Sequence, residues 1–113
     1  MGLLQGYVRL LDFVGVKNMK EKTITNKILK YLKNQPCCFA FKEFGGLYGT
    51  AGIPDVLCCY NGKFVACEVK TPNGKLSKLQ EIILQKIQNA NGHAYKVTSL
   101  DEVKEILKNL EAE

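Results

Sequence analysis

The chain is poor in the residues that build soft-metal sites. His93 is its only histidine, and its five cysteines contain no Cys-x-x-Cys spacing, which excludes the usual zinc-ligand patterns. The cysteines are odd in number and fall as Cys37-Cys38, Cys58-Cys59 and Cys67. Neighbouring strand residues point to opposite faces, so these thiols read as small apolar fillers in a reducing, intracellular setting. Arginine is almost missing: of sixteen basic residues only Arg9 is not lysine. That composition suits contact with phosphate backbone and shape more than bidentate reading of bases. No repeat or linker interrupts the 113 residues, and the length corresponds to one small domain. The apolar stretch from Gly2 to Val14 is broken by Arg9 and Asp12 and is too short and too polar to span a bilayer. It lacks a secretory layout, and Gly6 spoils the myristoylation pattern, so no membrane partner is expected.

The rest of the composition is ordinary for a soluble globular domain, with 46% hydrophobic and 24% charged residues. A net charge of +5 and a pI near 9.0 favour a polyanionic partner, although many basic domains bind no nucleic acid. The most informative feature is Asn61-Gly62, set between the apolar runs 54–60 and 63–70. Asn-Gly between β-rich runs predicts a two-residue hairpin turn. Tyr60 then faces Lys63, and the pairing continues outward to Cys59 with Phe64, Leu57 with Ala66, and Asp55 with Glu68. In that register the two carboxylates stand opposite each other, with Cβ atoms about 4.5–5.5 Å apart. Lys70 falls two residues beyond Glu68 on the same face. Facing carboxylates repel, and a divalent cation between them would convert the cost into a site. Such oxygen ligands suit Mg²⁺, which also takes waters and substrate phosphate. The plainer alternative is a solvated acid with a surface Glu68–Lys70 pair of little weight. Both strand faces are mostly apolar, as in a strand covered on two sides, and acids in such surroundings are rarely buried unless paired or metal-bound.

Gly52-Ile53-Pro54-Asp55, followed by Glu68-Val69-Lys70-Thr71-Pro72 and then Gly74-Lys75-Leu76-Ser77 with Gln80, resembles the VRR-Nuc domain. That domain belongs to the PD-(D/E)XK superfamily of restriction-endonuclease-like nucleases, and the resemblance covers residues 20–107. It implies an Mg²⁺- or Mn²⁺-dependent endonuclease acting on DNA. Stand-alone small members resemble homodimeric, structure-selective enzymes that cut four-way (Holliday) junctions. The resemblance further implies that Asp55, Glu68 and the Val69 carbonyl hold metal, that Lys70 positions the attacking water, and that the products carry a 5′-phosphate and a 3′-hydroxyl. A nicking or flap-cleaving repair nuclease, or a non-catalytic DNA-binding module, are the alternatives. A bacterial or phage cytoplasm is the expected setting.

Other residues carry a role and a plainer explanation side by side. Glu21, near the start of the first helix, is a further metal ligand by resemblance or merely a carboxylate favoured by the helix dipole. Gln80 orients substrate or water in the family pattern, while Ser77 and Gln80 also form the Ser-x-x-Gln capping box. Lys75 and Lys78 lie beside the site and meet phosphates, or are simply solvated. Tyr48, in the glycine-rich segment 45–52, stacks on DNA or sits in a surface loop. His93 is excluded from catalysis.

The periodicities predict an α/β fold: a restriction-endonuclease-like core with a mixed four-stranded sheet flanked by helices, in the order α-β-β-β-α-β-α. A helix is expected over 23–34, stopped by Asn34-Gln35-Pro36, then a strand over 37–41 and the hairpin. A helix capped by Ser77 follows, then a strand over 94–98 and a last helix capped by Ser99 with Glu102. Residues 19–113 form the nuclease-like domain. Residues 1–18 add a strand or short helix to a dimer contact, or are an appendage; with the glycine-rich segment they leave enough apolar surface to permit a homodimer.

Overall fold

The computed structural model describes residues 19–43 and 51–113. Tyr48, most of the glycine-rich segment and the extension 1–18 lie outside them. The elements are α1 (Met19–Lys33), β1 (Cys38–Lys42), β2 (Val56–Tyr60), β3 (Lys63–Val69), α2 (Lys78–Asn89), β4 (His93–Val97) and α3 (Leu100–Glu111). This is the expected order. The strands form one mixed sheet in the order β1-β2-β3-β4, antiparallel across the first three and parallel between β3 and β4. The parallel pair requires a crossover connection, which α2 supplies.

Asn61 and Gly62 both adopt positive φ, 53° and 80°, as a type I′ turn demands. Tyr60 is paired with Lys63, Cys59 with Phe64 and Leu57 with Ala66, the register that the turn dipeptide predicts. The main core lies on one face of the sheet. There Ile28, Leu29 and Leu32 of α1 and Val103, Leu107 and Leu110 of α3 pack on Val56, Cys58, Val65, Cys67, Val69 and Val97. A smaller core lies on the other face, where Leu84 of α2 meets Ala66 and Ala94.

Three expectations are corrected. α1 spans Met19–Lys33 rather than starting at 23, because Glu21 extends its buried stripe toward the N-terminal end. β1 is shifted by one residue to Cys38–Lys42, since Cys37 turns the chain with a φ of 54°. Among the described residues, helices do not cover both faces of the sheet along its whole width. α2 packs over the β4 side, leaving Phe39 71%, Phe41 43% and Phe64 47% exposed beside an open apolar groove of about 330 Å³ next to α2. The thiols divide accordingly: Cys58 and Cys67 are buried fillers, whereas Cys37 and Cys59 are exposed, and all five are free.

Candidate active site at the open end of the hairpin

The site is built where the β2–β3 ladder runs out. Val56 and Cys67 are its last paired residues, so Asp55 and Glu68 occupy the next step, one on each side. Gly52 delivers the chain to this point. With a φ of +82° it passes so close beneath α2 that an added Cβ would lie 2.8 Å from the Leu79 side chain. Pro54 is buried and Asp55 half-buried.

Asp55 is fixed from two directions. Its carbonyl accepts the Glu43 N–H at 2.8 Å, which carries the β1–β2 pairing one residue past the strands. Its carboxylate Oδ2 accepts the Val69 N–H at 2.7 Å, filling the acceptor position that a longer β2 would have supplied. Glu68 is 1% exposed, on the face of the sheet that holds Ala66 and α2. Lys70 follows two residues later, half-buried, and its N–H donates to the Val97 carbonyl at 2.9 Å. β4 therefore anchors the backbone on which the lysine rides.

The structure thus gathers Asp55, Glu68, Val69 and Lys70 at one end of the hairpin. Glu21 is buried, 8% exposed, in the first turn of α1 on the main-core side. Gln80 forms the capping box: its side-chain oxygen accepts the Ser77 N–H at 2.8 Å, and its own N–H donates to Ser77 Oγ at 3.1 Å. Among the described residues, its side-chain NH₂ makes no hydrogen bond. Lys75 and Lys78 are exposed around the start of α2, and His93 is half-buried at the start of β4. The Asp55–Val69 hydrogen bond carries no sequence period and was not legible; an aspartate one residue ahead of a strand, three past a glycine, is its only trace.

Oxygen donors dominate the cluster. Burial, and then the charge of nearby Asp55, push the Cys67 thiol up to about 12, so it stays neutral and is a poor metal ligand. Among the described residues no group of three or more His, Cys, Asp or Glu is gathered to hold a metal. A divalent ion at this end would rely on the carboxylate pair, main-chain oxygen, water and a phosphate. That donor set fits Mg²⁺ or Mn²⁺, which bind protein through one or two carboxylates and keep other positions for water and substrate. Among the described residues no helix is long and apolar enough to cross a membrane.

Comparison with known proteins agrees with this architecture. The VRR-NUC domain model matches residues 9–101. One solved structure described as a VRR_NUC domain aligns with a TM-score of 0.67 at 19% identity, covering 80% of this chain and 97% of its own. A second, a VRR_NUC domain protein, aligns with a TM-score of 0.64 at 15% identity, covering 83% of this chain and 89% of its own. No curated protein matches. With a domain match over most of its length and the sheet those structures share, the chain belongs to the VRR-NUC family, a branch of the PD-(D/E)XK nucleases.

Proposed function

We propose that this protein is a metal-dependent DNA endonuclease selective for branched DNA, acting as a homodimer on four-way junctions. The observation that carries this reading is the placement of Asp55, buried Glu68 and Lys70 at one end of the hairpin, with the Asp55 carboxylate tied to the Val69 N–H. Asp55, Glu68 and the Val69 carbonyl would hold Mg²⁺ or Mn²⁺, with Glu21 as a further ligand. The metal, when bound, polarises the scissile phosphate and lowers the pKa of a coordinated water. Lys70 orients that water and balances charge developing on the phosphate oxygens. Gln80 keeps its amide donors for substrate or water while its oxygen caps α2. Lys75 and Lys78 offer exposed ammonium groups to flanking phosphates, and Tyr48 is proposed to stack on a base.

Lys70→Ala should cut cleavage by at least about a hundredfold while DNA binding survives. Turnover at the wild-type rate in that variant would remove Lys70 from the chemistry. A gel panel of labelled four-way, flap, nicked and linear duplex DNA with Mg²⁺ or Mn²⁺ separates junction resolution from flap or nick cleavage. No hydrolysis of any of them would leave a DNA-binding module.

Dimerisation is supported by two considerations. A junction offers two equivalent strands to be cut together, and the described sheet face leaves Phe39 and Phe41 exposed side by side, ring centroids 6.0 Å apart. Sedimentation of the free protein should give twice the 12.6 kDa chain mass. A monomer that still cut both strands symmetrically would count against the pairing.

A further inference from the structure

α1 carries far more charge on its outer surface than its packing uses. Glu21, Thr25, Ile28, Leu29 and Leu32 form its buried side, whereas Lys20, Lys22, Lys27, Lys30 and Lys33 are all exposed. The helix has one acidic residue, Glu21, and that one is buried. Lys27, Lys30 and Lys33 follow one another at i, i+3 spacing, where like charges weaken a helix. The dipole at the C-terminal end rewards Lys30 and Lys33, but it gives no such return for Lys20 and Lys22 at the other end. The neighbouring helix α3, which packs against α1, carries four acids. Asp101, Glu102, Glu105 and Glu111 are on α3, and two of them are engaged locally, Glu102 by the Thr98 hydroxyl and Glu111 by the Tyr60 hydroxyl.

The orientation of this face follows from the chain path. α1 ends at Lys33, and only residues 34–37 separate it from β1, whose first residue, Cys38, pairs with Tyr60 at the hairpin turn. The helix packs back along β1. Its C-terminal end therefore lies near the turn, and its N-terminal end near the carboxylate end of the sheet. From Lys20 to Lys33 the helix extends about 20 Å, a length over which a duplex presents roughly a dozen phosphate charges.

We propose that the exposed lysine face of α1 is a phosphate-backbone track for DNA held at the carboxylate end of the sheet. The inference rests on the nuclease reading and extends its contacts well beyond Lys75 and Lys78. The recognition is of charge and spacing, with no base read.

The test is fluorescence anisotropy of the full chain with a labelled duplex and a labelled four-way junction, without divalent metal, between about 50 and 200 mM salt. The K27Q/K30Q/K33Q variant should lose at least about tenfold in affinity, and its plot of log K against log salt should be shallower by about two to three. K27R/K30R/K33R should keep both. Lys30→Glu alone should weaken binding in the same direction, and circular dichroism should show the helix intact in every variant, since glutamine and arginine are good helix formers. Wild-type affinity and slope in the glutamine variant, with wild type hydrolysing DNA in Mg²⁺, would overturn the lysine track and leave the nuclease reading standing. Neither affinity nor hydrolysis in wild type would overturn both.

Discussion

Asp55 does two jobs at the end of the hairpin, and they can be separated. As an acceptor it satisfies the N–H of Val69, a residue with no exposed surface; as an anion it is the proposed ligand. Asp55→Ala deprives a buried donor of this partner, which should cost about 1–3 kcal/mol of stability. Asp55→Asn keeps an oxygen acceptor and should cost much less, yet it should lose cleavage as fully as Ala does. Urea midpoints of the two variants check the first statement and the gel panel the second; equal destabilisation by Ala and Asn would mean that the hydrogen bond is not what holds the site. This residue also marks the limit of what the sequence tells. Asn61-Gly62 fixes the register, because both turn residues must take positive φ, and the register alone brings positions 55 and 68 together. Nothing periodic announces that the aspartate then replaces a ladder acceptor. The bond joins a side chain to a backbone fourteen positions away, and no local pattern encodes it.

At the scale of elements, the hairpin is pinned to α3 by a short chain of polar contacts. The Tyr60 hydroxyl donates to Glu111, Lys63 Nζ donates to the Leu110 carbonyl at 2.6 Å, and the same ammonium pairs with Glu113 at 3.3 Å. The hydrogen bond to Glu111, then burial and the charge of Glu111, push the Tyr60 phenol up to about 12 from its ordinary 10. A group whose folded pKa is raised favours its protonated form in the native state. Its stabilisation is therefore complete below pH 10 and fades as pH rises toward about 12. The stability difference between wild type and Tyr60→Phe, followed by denaturant unfolding, should shrink across that interval. A difference independent of pH would mean that the phenol–carboxylate contact contributes nothing. The element order was legible because each helix and strand carries its own period, and the Ser77 and Ser99 caps fix two helix starts. The start of α1 was not. Its buried stripe begins with Glu21, a charged residue that a search for apolar periodicity passes over, and Thr23, a capping residue type just ahead of Ile24, instead lies inside the helix with its hydroxyl on the Met19 carbonyl. The exposed side of the sheet was misread for a related reason. Alternation shows which residues share a face, but not how far a helix reaches across it, so Cys59 and Phe64 look buried in sequence and stand open in the fold.

At the scale of the whole molecule, the site and the stability of the fold should be coupled. Glu68 is buried, and Asp55 stands one ladder step away across the hairpin. Acids opposed in this way weaken a sheet, and a buried carboxylate needs compensation from its surroundings. A cation that binds only the native arrangement adds RT ln(1 + [L]/Kd), about 2.7 kcal/mol at a hundredfold excess over Kd. For a domain of this size that corresponds to a rise of several degrees in Tm. Mg²⁺ or Mn²⁺ should accordingly raise the wild-type midpoint, and chelation should return it. Glu68→Gln, which gives up one of the two opposed charges and keeps a polar group of the same size, should respond weakly or not at all. The comparison separates site binding from general screening, because ions acting on the lysine-rich surface would shift both proteins alike. Equal shifts in wild type and Glu68→Gln, or none in wild type at saturating metal with DNA present, would remove the cation from this end of the hairpin and leave the two carboxylates as parts of the fold alone.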